Sequence, residues 1–252
     1  MDNNIKPYIN GGISGIIEIT LVHPIEYFKT LKQYKKNNNN NFFTFVKNAY
    51  NTGGIRSLYY GYLPRLIGVV PMRTIFWGTM YASDKNLQNK SINPLYKYCL
   101  SGLLVGSIQT LIDCPIESLK TQMMTTSNSS YKINFNGFTP NLLRNIGFVT
   151  IFNASKNSIK DNYLSTRKNI NLDNIFIGCI SGITASILTQ PFDYIKTKMQ
   201  ENKIVKVPMR KIIYLTLKNK PMLFFSGTVS RCSITCISMS IGLYIFELLN
   251  SF

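Results

Sequence analysis

A motif of proline, acid and base occurs three times along this chain and constrains its fold more than any other feature. Its form is P-x-[DE]-x-x-[KR], and the three copies begin at Pro24, Pro115 and Pro191. In every copy a GxxxG segment precedes the motif, with its second glycine nine positions before the proline. Composition alone predicts about 0.05 such motifs, so the copies indicate internal repeats. We place the repeats at approximately 1–90, 91–168 and 169–252.

A second marker follows each motif and ends in a glycine. These glycines are Gly61, Gly137 and Gly227, and the first two each precede the next motif proline by 54 positions. The distance from motif proline to marker glycine is 37 and 36 positions in the first and third repeats, but 22 in the second. The second repeat therefore lacks about fifteen residues, which is enough for a short helix and its loop.

Each repeat contains two apolar segments joined by a basic connection. Each segment supplies the roughly 20 residues that cross a bilayer. The mean hydropathy of the chain is only +0.02, a value that a soluble helical protein would also show. GxxxG at the start of every odd-numbered segment, and proline deep inside its apolar run, favour membrane helices. We therefore predict an all-α membrane protein with six transmembrane helices in three pseudo-symmetric repeats around a central cavity. The six segments are approximately 7–35, 62–84, 96–123, 138–160, 172–200 and 226–249.

The chain has few charged residues, and its net charge is strongly positive. Charged residues make up 15% of the chain, and 28 Lys and Arg oppose 11 Asp and Glu, for a net charge of +17. Residues 29–56 and 196–220, which follow odd-numbered segments, carry many of the bases and so indicate one membrane side. Such loops suit solvent and anionic lipid head groups. The rival interpretation, a peripheral nucleic-acid-binding protein, needs bases interleaved with aromatics on one surface; we predict no nucleic-acid partner.

No constellation for metal binding, cofactor binding or catalysis is evident in the sequence. The five cysteines contain no CxxC pair and His23 is the single histidine, so we predict no metal site and no cofactor. We expect the cysteines to be small apolar residues within helices. Because no nucleophile is paired with a base, we do not expect an enzyme.

The acid and the base of each motif are three positions apart and so lie on one face of a helix. Around a threefold pseudo-axis they meet at one depth, where proline bends bring the base of one helix to the acid of the next. We predict a gate of three ion pairs at one mouth of the cavity, marginally favourable because its charges must be desolvated. The alternative is a set of incidental intrahelical pairs. The gate residues are Glu26, Lys29, Glu117, Lys120, Asp193 and Lys196, and the helix kinks are Pro24, Pro115 and Pro191.

These motifs resemble the signature of the mitochondrial carriers over nearly the whole chain. The resemblance implies a single transmembrane carrier domain, monomeric and multi-pass in the mitochondrial inner membrane, with cardiolipin as a lipid partner. It also implies an antiporter that works by alternating access, with the ion-pair ring as the gate on the matrix side. Gln33 and Gln200, four positions after a motif lysine, match the gate braces of the family, whereas Met124 stands there in the second repeat.

The second gate of the family, [FY]-[DE]-x-x-[KR] near the cytoplasmic ends of the even helices, is nearly missing. Phe246-Glu247 fits it without a base, because Asn250 stands where the base belongs. Asp84-Lys85 and Lys160-Asp161 lie near the other two positions but off pattern. We therefore predict a weak cytoplasmic gate, in a carrier that rests open to the cytosol or leaks. A degenerate carrier that serves as a membrane scaffold and transports nothing is an alternative.

The resemblance also implies that substrate contacts lie seven and eight positions past the marker glycine of each even helix. Arg144 is the principal candidate, because an arginine inside a membrane helix is functional by default and suits carboxylate or phosphate. Arg65 and Arg231 are expected nearer the matrix mouth, where they guide anions or pack structurally. Glu18 and Asp113 are expected to pair with nearby arginines, the alternative being a proton or cation site. The predicted substrate-binding set is Gly68, Val69, Arg73, Arg144, Asn145, Ile234 and Thr235.

A basic cavity implies an anionic small-molecule substrate. Arg144-Asn145 on the fourth helix resembles carriers of keto or carboxylic acids, whereas Gly68-Val69 on the second helix is a pair that nucleotide carriers show on the fourth. The Asn37–Asn41 run is typical of an AT-rich coding genome, such as that of a parasite or a large DNA virus, in which nucleotide supply limits growth. We predict exchange of nucleotides or deoxynucleotides, with keto or carboxylic acids as the alternative.

Overall fold

The computed structural model of the chain is helical wherever regular structure is described. It describes residues 5–34, 47, 50–51, 53–59, 62–88, 93–125, 135, 137–163, 170–201 and 208–251. Within these ranges, residues 26–34, 55, 64, 86–88, 116–125, 162–163, 170–172, 200–201 and 219 are described by their backbone alone.

Six long helices and one short helix make up the fold in the part of the chain that the structure describes. The long helices confirm the six apolar segments predicted from the sequence, with ends that differ by a few residues. The short helix α6 and two 3₁₀ turns, Ile55–Tyr59 and Pro221–Phe225, connect long helices. In chain order the helices are α1 (Lys6–Tyr34), α2 (Tyr62–Gln88), α3 (Pro94–Thr125), α4 (Phe138–Tyr163), α5 (Ile170–Glu201), α6 (Met209–Asn219) and α7 (Thr228–Ser251).

The long helices pack side by side in a closed ring. Each packs against the next long helix in the chain, and α7 packs against α1. They contain 24 to 32 residues, or about 36–48 Å at 1.5 Å per residue, which exceeds the roughly 30 Å hydrocarbon core of a bilayer. Three stretches in the described chain are long and apolar enough to cross a membrane by length and composition: Pro94–Pro115, Asp173–Met199 and Pro221–Ser251.

The outer surface of the ring carries large apolar side chains. On α3, for example, Leu100, Leu104 and Leu111 are more than half exposed and are spaced to share one face of the helix. A soluble monomer rarely exposes apolar side chains over so continuous a surface. The exposed leucines therefore agree with a lipid-facing exterior, and the all-α membrane fold predicted from the sequence is confirmed.

The GxxxG glycines set the distance between the two long helices of each repeat. A Cβ at Gly106 on α3 would lie 2.6 Å from the backbone nitrogen of Ile146 on α4. A Cβ at Gly178 on α5 would lie 2.6 Å from the backbone oxygen of Met239 on α7. In the first repeat, a Cβ at Gly15 would lie 2.6 Å from the Cβ of Arg73 on α2. Small residues are thus required at these contacts between the first and second long helices of each repeat, as GxxxG predicts.

The motif prolines lie inside long helices rather than at their ends. Pro24, Pro115 and Pro191 are interior residues of α1, α3 and α5, and each helix continues for ten residues beyond its proline. The marker glycines Gly137 and Gly227 precede α4 and α7 with φ of 84°, a conformation that glycine adopts without steric cost. We call the end of the ring where α1, α3 and α5 finish the motif end, and the end that holds Lys6 and Ser251 the termini end.

Aromatic side chains from α2, α4 and α7, the second long helix of each repeat, fill the middle of the ring. Trp77 of α2 stacks on Phe246 of α7 with ring centroids 5.3 Å apart, and it meets Phe152 of α4 edge-on at 6.1 Å. Phe76 packs edge-on against Trp77 at 4.9 Å. All four are almost fully buried. This aromatic layer belongs to the buried core and lies between the two ends of the ring.

Candidate functional site

A polar cavity of about 230 Å³ lies on the motif side of the aromatic layer. Its walls come from α2, α3, α4 and α7. It contains six of the seven residues predicted to bind substrate, whereas Gly68 is buried in α2 outside the lining. The six are Val69, Arg73, Arg144, Asn145, Ile234 and Thr235.

Arg144 is the centre of the polar network in this cavity. One guanidinium nitrogen, Nη1, lies 3.0 Å from Oδ1 of Asp193, and Nη2 lies 3.2 Å from Oδ2 of Asp113. The guanidinium also donates to Oδ1 of Asn145 from Nη2 at 2.9 Å, and Asn145 in turn donates to Thr110 at 3.0 Å. Because a guanidinium is planar and its donors are fixed, these contacts orient it.

Arg231 holds the second oxygen of the same aspartate. Its Nη1 lies 3.0 Å from Oδ2 of Asp193, so one carboxylate joins two arginines from α4 and α7. Nη2 of Arg231 donates to Thr189 at 2.9 Å, and Nη1 lies 3.3 Å from Oε1 of Gln190. Arg231 therefore lines the cavity in a position fixed by three side chains of α5.

A third arginine occupies the opposite wall of the cavity. Arg73 of α2 forms an ion pair with the buried carboxylate of Glu18 on α1 and donates to Ser238 on α7 at 3.0 Å. Ser238 also donates to Glu18. The prediction that the buried acids pair with nearby arginines is confirmed, because Glu18 pairs with Arg73 and Asp113 with Arg144.

Beyond the aromatic layer, ion pairs join α4 to α2 and to α7 at the termini end. Lys156 of α4, whose side chain is 4% exposed, lies 2.7 Å from Asp84 of α2. Asn157 donates to the same carboxylate at 3.2 Å. One helical turn further along α4, Lys160 pairs with Glu247 of α7. Both bases belong to α4, whereas the two acids belong to α2 and α7.

The comparison with known protein families identifies the chain. The family model described as mitochondrial carrier protein matches residues 2–91 and 168–252, which is more than half of the chain. The chain belongs to the mitochondrial carrier family. The carriers predicted from the triplicated motif are thus the correct family.

Named carriers of other organisms resemble the chain at about one identical residue in four. Mitochondrial substrate carrier family protein X of Dictyostelium discoideum is 27% identical, over 99% of this chain and 94% of the relative. Tricarboxylate transport protein B, mitochondrial, of Danio rerio is 26% identical, over 96% of this chain and 86% of the relative. The mitochondrial 2-oxodicarboxylate carrier of Bos taurus is 25% identical, over 77% of this chain and 74% of the relative.

The termini end of this carrier differs from the sequence-based expectation. A weak gate was expected because the [FY]-[DE]-x-x-[KR] pattern requires an acid and a base on each even helix. Asp84, Lys156, Lys160 and Glu247 instead form pairs between helices. A pattern read along one helix does not reveal which side chains meet across a ring. In this structure those pairs and the aromatic layer link α2, α4 and α7 across the termini side of the ring.

The gate predicted at the motif end is described in part. Asp193 and Lys196 lie on α5, and the side chain of Lys196 is buried. Asp193 contacts the two cavity arginines, which the ring prediction did not anticipate. No spacing in the sequence signals this contact, because the motif assigns Asp193 to a ring with lysines. The side chains of Glu26, Lys29, Gln33, Glu117, Lys120 and Gln200 lie outside the described residues.

Two of the five cysteines form a disulfide, which corrects the expectation that all are small apolar residues. Cys179 of α5 is bonded to Cys236 of α7, with the Cα atoms 4.2 Å apart. The close approach follows from the neighbouring Gly178, which brings the two backbones together. Cys99, Cys114 and Cys232 are not part of this disulfide. The described residues contain no group of three or more His, Cys, Asp or Glu that could hold a metal ion.

Proposed function

We propose that this carrier exchanges small carboxylate anions across the mitochondrial inner membrane by alternating access. The observation that supports this most directly is Arg144, which lines the cavity and already binds carboxylate oxygens of Asp113 and Asp193. A guanidinium held in this way matches the two oxygens of a substrate carboxylate. Asn145 lies beside it and supplies a further hydrogen-bonding group.

The size of the cavity and the relatives support the same substrate class. At about 230 Å³ the cavity is below the roughly 300–1,000 Å³ of sites for drug-sized ligands, which favours a small metabolite. Two of the similar carriers are named for tricarboxylate and 2-oxodicarboxylate. The chain covers at least 74% of the length of both relatives, so the comparison includes most of each protein.

The closed termini end fits one stage of an alternating-access cycle. The aromatic layer and two ion pairs seal the ring on that side, which by family resemblance faces the cytosol. We place the motif end toward the matrix, with the exposed bases of α6, Arg210, Lys211 and Lys218, against anionic lipid. Cardiolipin, with its phosphate groups, is the lipid that suits them. We propose a monomeric transporter, since the cavity lies within one ring.

Nucleotides are the second candidate substrate, as the sequence first suggested. The observation in their favour is that Phe76 and Phe148 line the cavity beside Arg73 and Arg144. A phenyl ring can stack on a base while an arginine binds a phosphate. The phenyl rings in the cavity lining favour nucleotides and the small cavity volume favours small carboxylates, and a direct measurement separates the two.

Exchange by purified protein in liposomes tests the proposal. Liposomes are loaded with 2-oxoglutarate, citrate, ATP or dATP, and uptake of the same labelled compound is followed. We expect saturable exchange of 2-oxoglutarate or citrate, and loss of that exchange in Arg144→Ala. Lys218→Gln on the exposed face of α6 serves as a matched change of one base and should exchange at the normal rate. Exchange of ATP or dATP alone would reject the carboxylate assignment in favour of nucleotides, and exchange of neither class would reject both.

A further inference from the structure

Asp193 connects the predicted gate to the cavity. It is the acid of the third motif, two residues after Pro191 and three before Lys196. Both of its carboxylate oxygens nevertheless contact cavity arginines, Oδ1 with Arg144 and Oδ2 with Arg231, each at 3.0 Å. One side chain therefore belongs by sequence to the gate and by geometry to the binding site.

The contacts of Asp193 are those that an anionic ligand would make. A carboxylate that bridges two guanidinium groups uses both oxygens in charge-assisted hydrogen bonds. The side chains of Asp193, Arg144 and Arg231 remain 24%, 17% and 17% exposed, and the two arginines line the cavity. A bound metabolite could reach both arginines from that side.

We propose that Asp193 is an internal occupant of the substrate site and that the carboxylate of the substrate displaces it from Arg144 and Arg231. The proposal rests on the function proposed above and adds Arg231 to the substrate-binding residues. Displacement exchanges one carboxylate for another, so the two guanidinium groups keep a compensating charge throughout. A largely buried guanidinium that lost its carboxylate would be left with an uncompensated charge, which is unfavourable.

The displaced carboxylate supplies the link between binding and gating. Once released, the Asp193 carboxylate can turn toward the motif end, where the buried Lys196 of the same motif lies three residues further along α5. The gate then gains a carboxylate only when substrate occupies the cavity. A ligand shifts a conformational equilibrium by its differential affinity for the two states, and competition with Asp193 provides that difference.

The proposal predicts opposite effects on binding and turnover when the internal carboxylate is removed. In Asp193→Asn the substrate no longer competes with a charged group, so the apparent Kd for 2-oxoglutarate should fall by about tenfold or more, because apparent affinity scales with the fraction of sites that are free. Exchange in liposomes should slow at the same time, because the gate has lost an acid. Asp161→Asn, the same change at an exposed position of α4, should alter neither quantity.

The test is isothermal titration of the purified carriers with 2-oxoglutarate, combined with liposome exchange. Unchanged or weaker binding in Asp193→Asn would overturn the proposal and leave Asp193 as a gate residue alone. If that variant does not fold, Arg231→Gln decides instead: the proposal requires its Kd for 2-oxoglutarate to rise by about tenfold, with partial recovery in Arg231→Lys. Normal binding in Arg231→Gln would overturn it.

The failure of this inference differs from failure of the proposed function. If the wild-type carrier neither binds nor exchanges 2-oxoglutarate or citrate, the carboxylate function is wrong and the inference falls with it. If the wild-type carrier binds and exchanges these anions and the variants bind them with the same Kd, the carboxylate function stands and only the competition by Asp193 is wrong.

Discussion

The two ends of the ring arrange their charges in different ways. At the termini end each base has its own acid, Lys156 with Asp84 and Lys160 with Glu247, beside a fully packed aromatic layer. On the motif side of that layer, two arginines share the carboxylate of Asp193 around an open cavity. The first arrangement closes a passage, whereas the second leaves a ligand room to replace one partner.

This contrast indicates that the same interaction serves two purposes in one molecule. The one-to-one pairs lie beyond the apolar layer and outside the cavity lining, so a substrate held among the cavity arginines does not compete for them. A shared carboxylate at a polar cavity can be replaced by an anion of the same charge. The difference therefore lies in what surrounds the pairs rather than in their chemistry, and it can be tested by substitution at each end.

The largest effect is expected from Arg144→Ala, which removes the centre of the cavity network. Exchange should fall by roughly 100-fold or more, since charged hydrogen bonds contribute about 1.5–3 kcal/mol each and the substrate loses at least two. Liposome exchange measures this effect. The double variant Arg144→Ala with Asp113→Asn restores the charge balance and should recover thermal stability but not exchange. Wild-type exchange in either variant would contradict the assignment.

Among substitutions outside the cavity, the largest loss of stability is expected from a truncation in the aromatic layer. Trp77→Ala removes a side chain that is 1% exposed, and such a truncation costs about 3–5 kcal/mol in a packed core. Thermal unfolding in detergent should show a clearly lower Tm. Tyr96→Ala, on the exposed surface of α3, is the control and should leave the Tm nearly unchanged. Equal shifts in the two variants would mean that the layer is not the stabilising core.

A moderate effect is expected from Asp84→Asn at the termini end. The substitution leaves the buried ammonium of Lys156 without its carboxylate, and Asp84 itself is 35% exposed, so the loss should be about 1–3 kcal/mol. Thermal unfolding in detergent checks it. Lys156→Met combined with Asp84→Asn removes both charges and should restore much of the Tm. A double variant less stable than Asp84→Asn would show that Lys156 stabilises the ring through other contacts.

The smallest effect is expected from Lys160→Gln. Both members of its pair are partly exposed, at 26% and 32%, and pairs of that kind contribute about 0–1 kcal/mol. The Tm in detergent should therefore move little, and raising the salt concentration should shrink the difference further. A shift as large as that of Asp84→Asn would remove the distinction between the two pairs.

Much of this architecture follows from periodic features of the sequence. The six apolar segments, the triplicated proline motif and GxxxG predicted six membrane helices, because interior prolines and small residues act within one helix or between its nearest partners. Cavity residues such as Arg144 and Thr235 were located from their distance to a marker glycine. These features depend on spacing along the chain, which a sequence displays directly.

Contacts between helices could not be predicted in the same way. The pairs of Lys156 and Lys160 join positions more than 70 residues apart, and no regular interval relates them. The bridge from Asp193 to Arg231 was missed because the motif assigned that acid to a lysine ring. In each case the partner depends on how two helices are rotated toward each other, which is fixed by packing over their whole length.

The disulfide between Cys179 and Cys236 gives the third repeat a different covalent topology from the rest of the chain. The bonded residues are 57 positions apart, so the intervening segment, with its motif and α6, forms a closed loop. Such a loop restricts the unfolded chain and contributes about 4 kcal/mol in the chain-entropy description. A single cut by trypsin at the exposed Arg210 or Lys211 should therefore leave one molecule on a non-reducing gel and release two fragments once reductant is added.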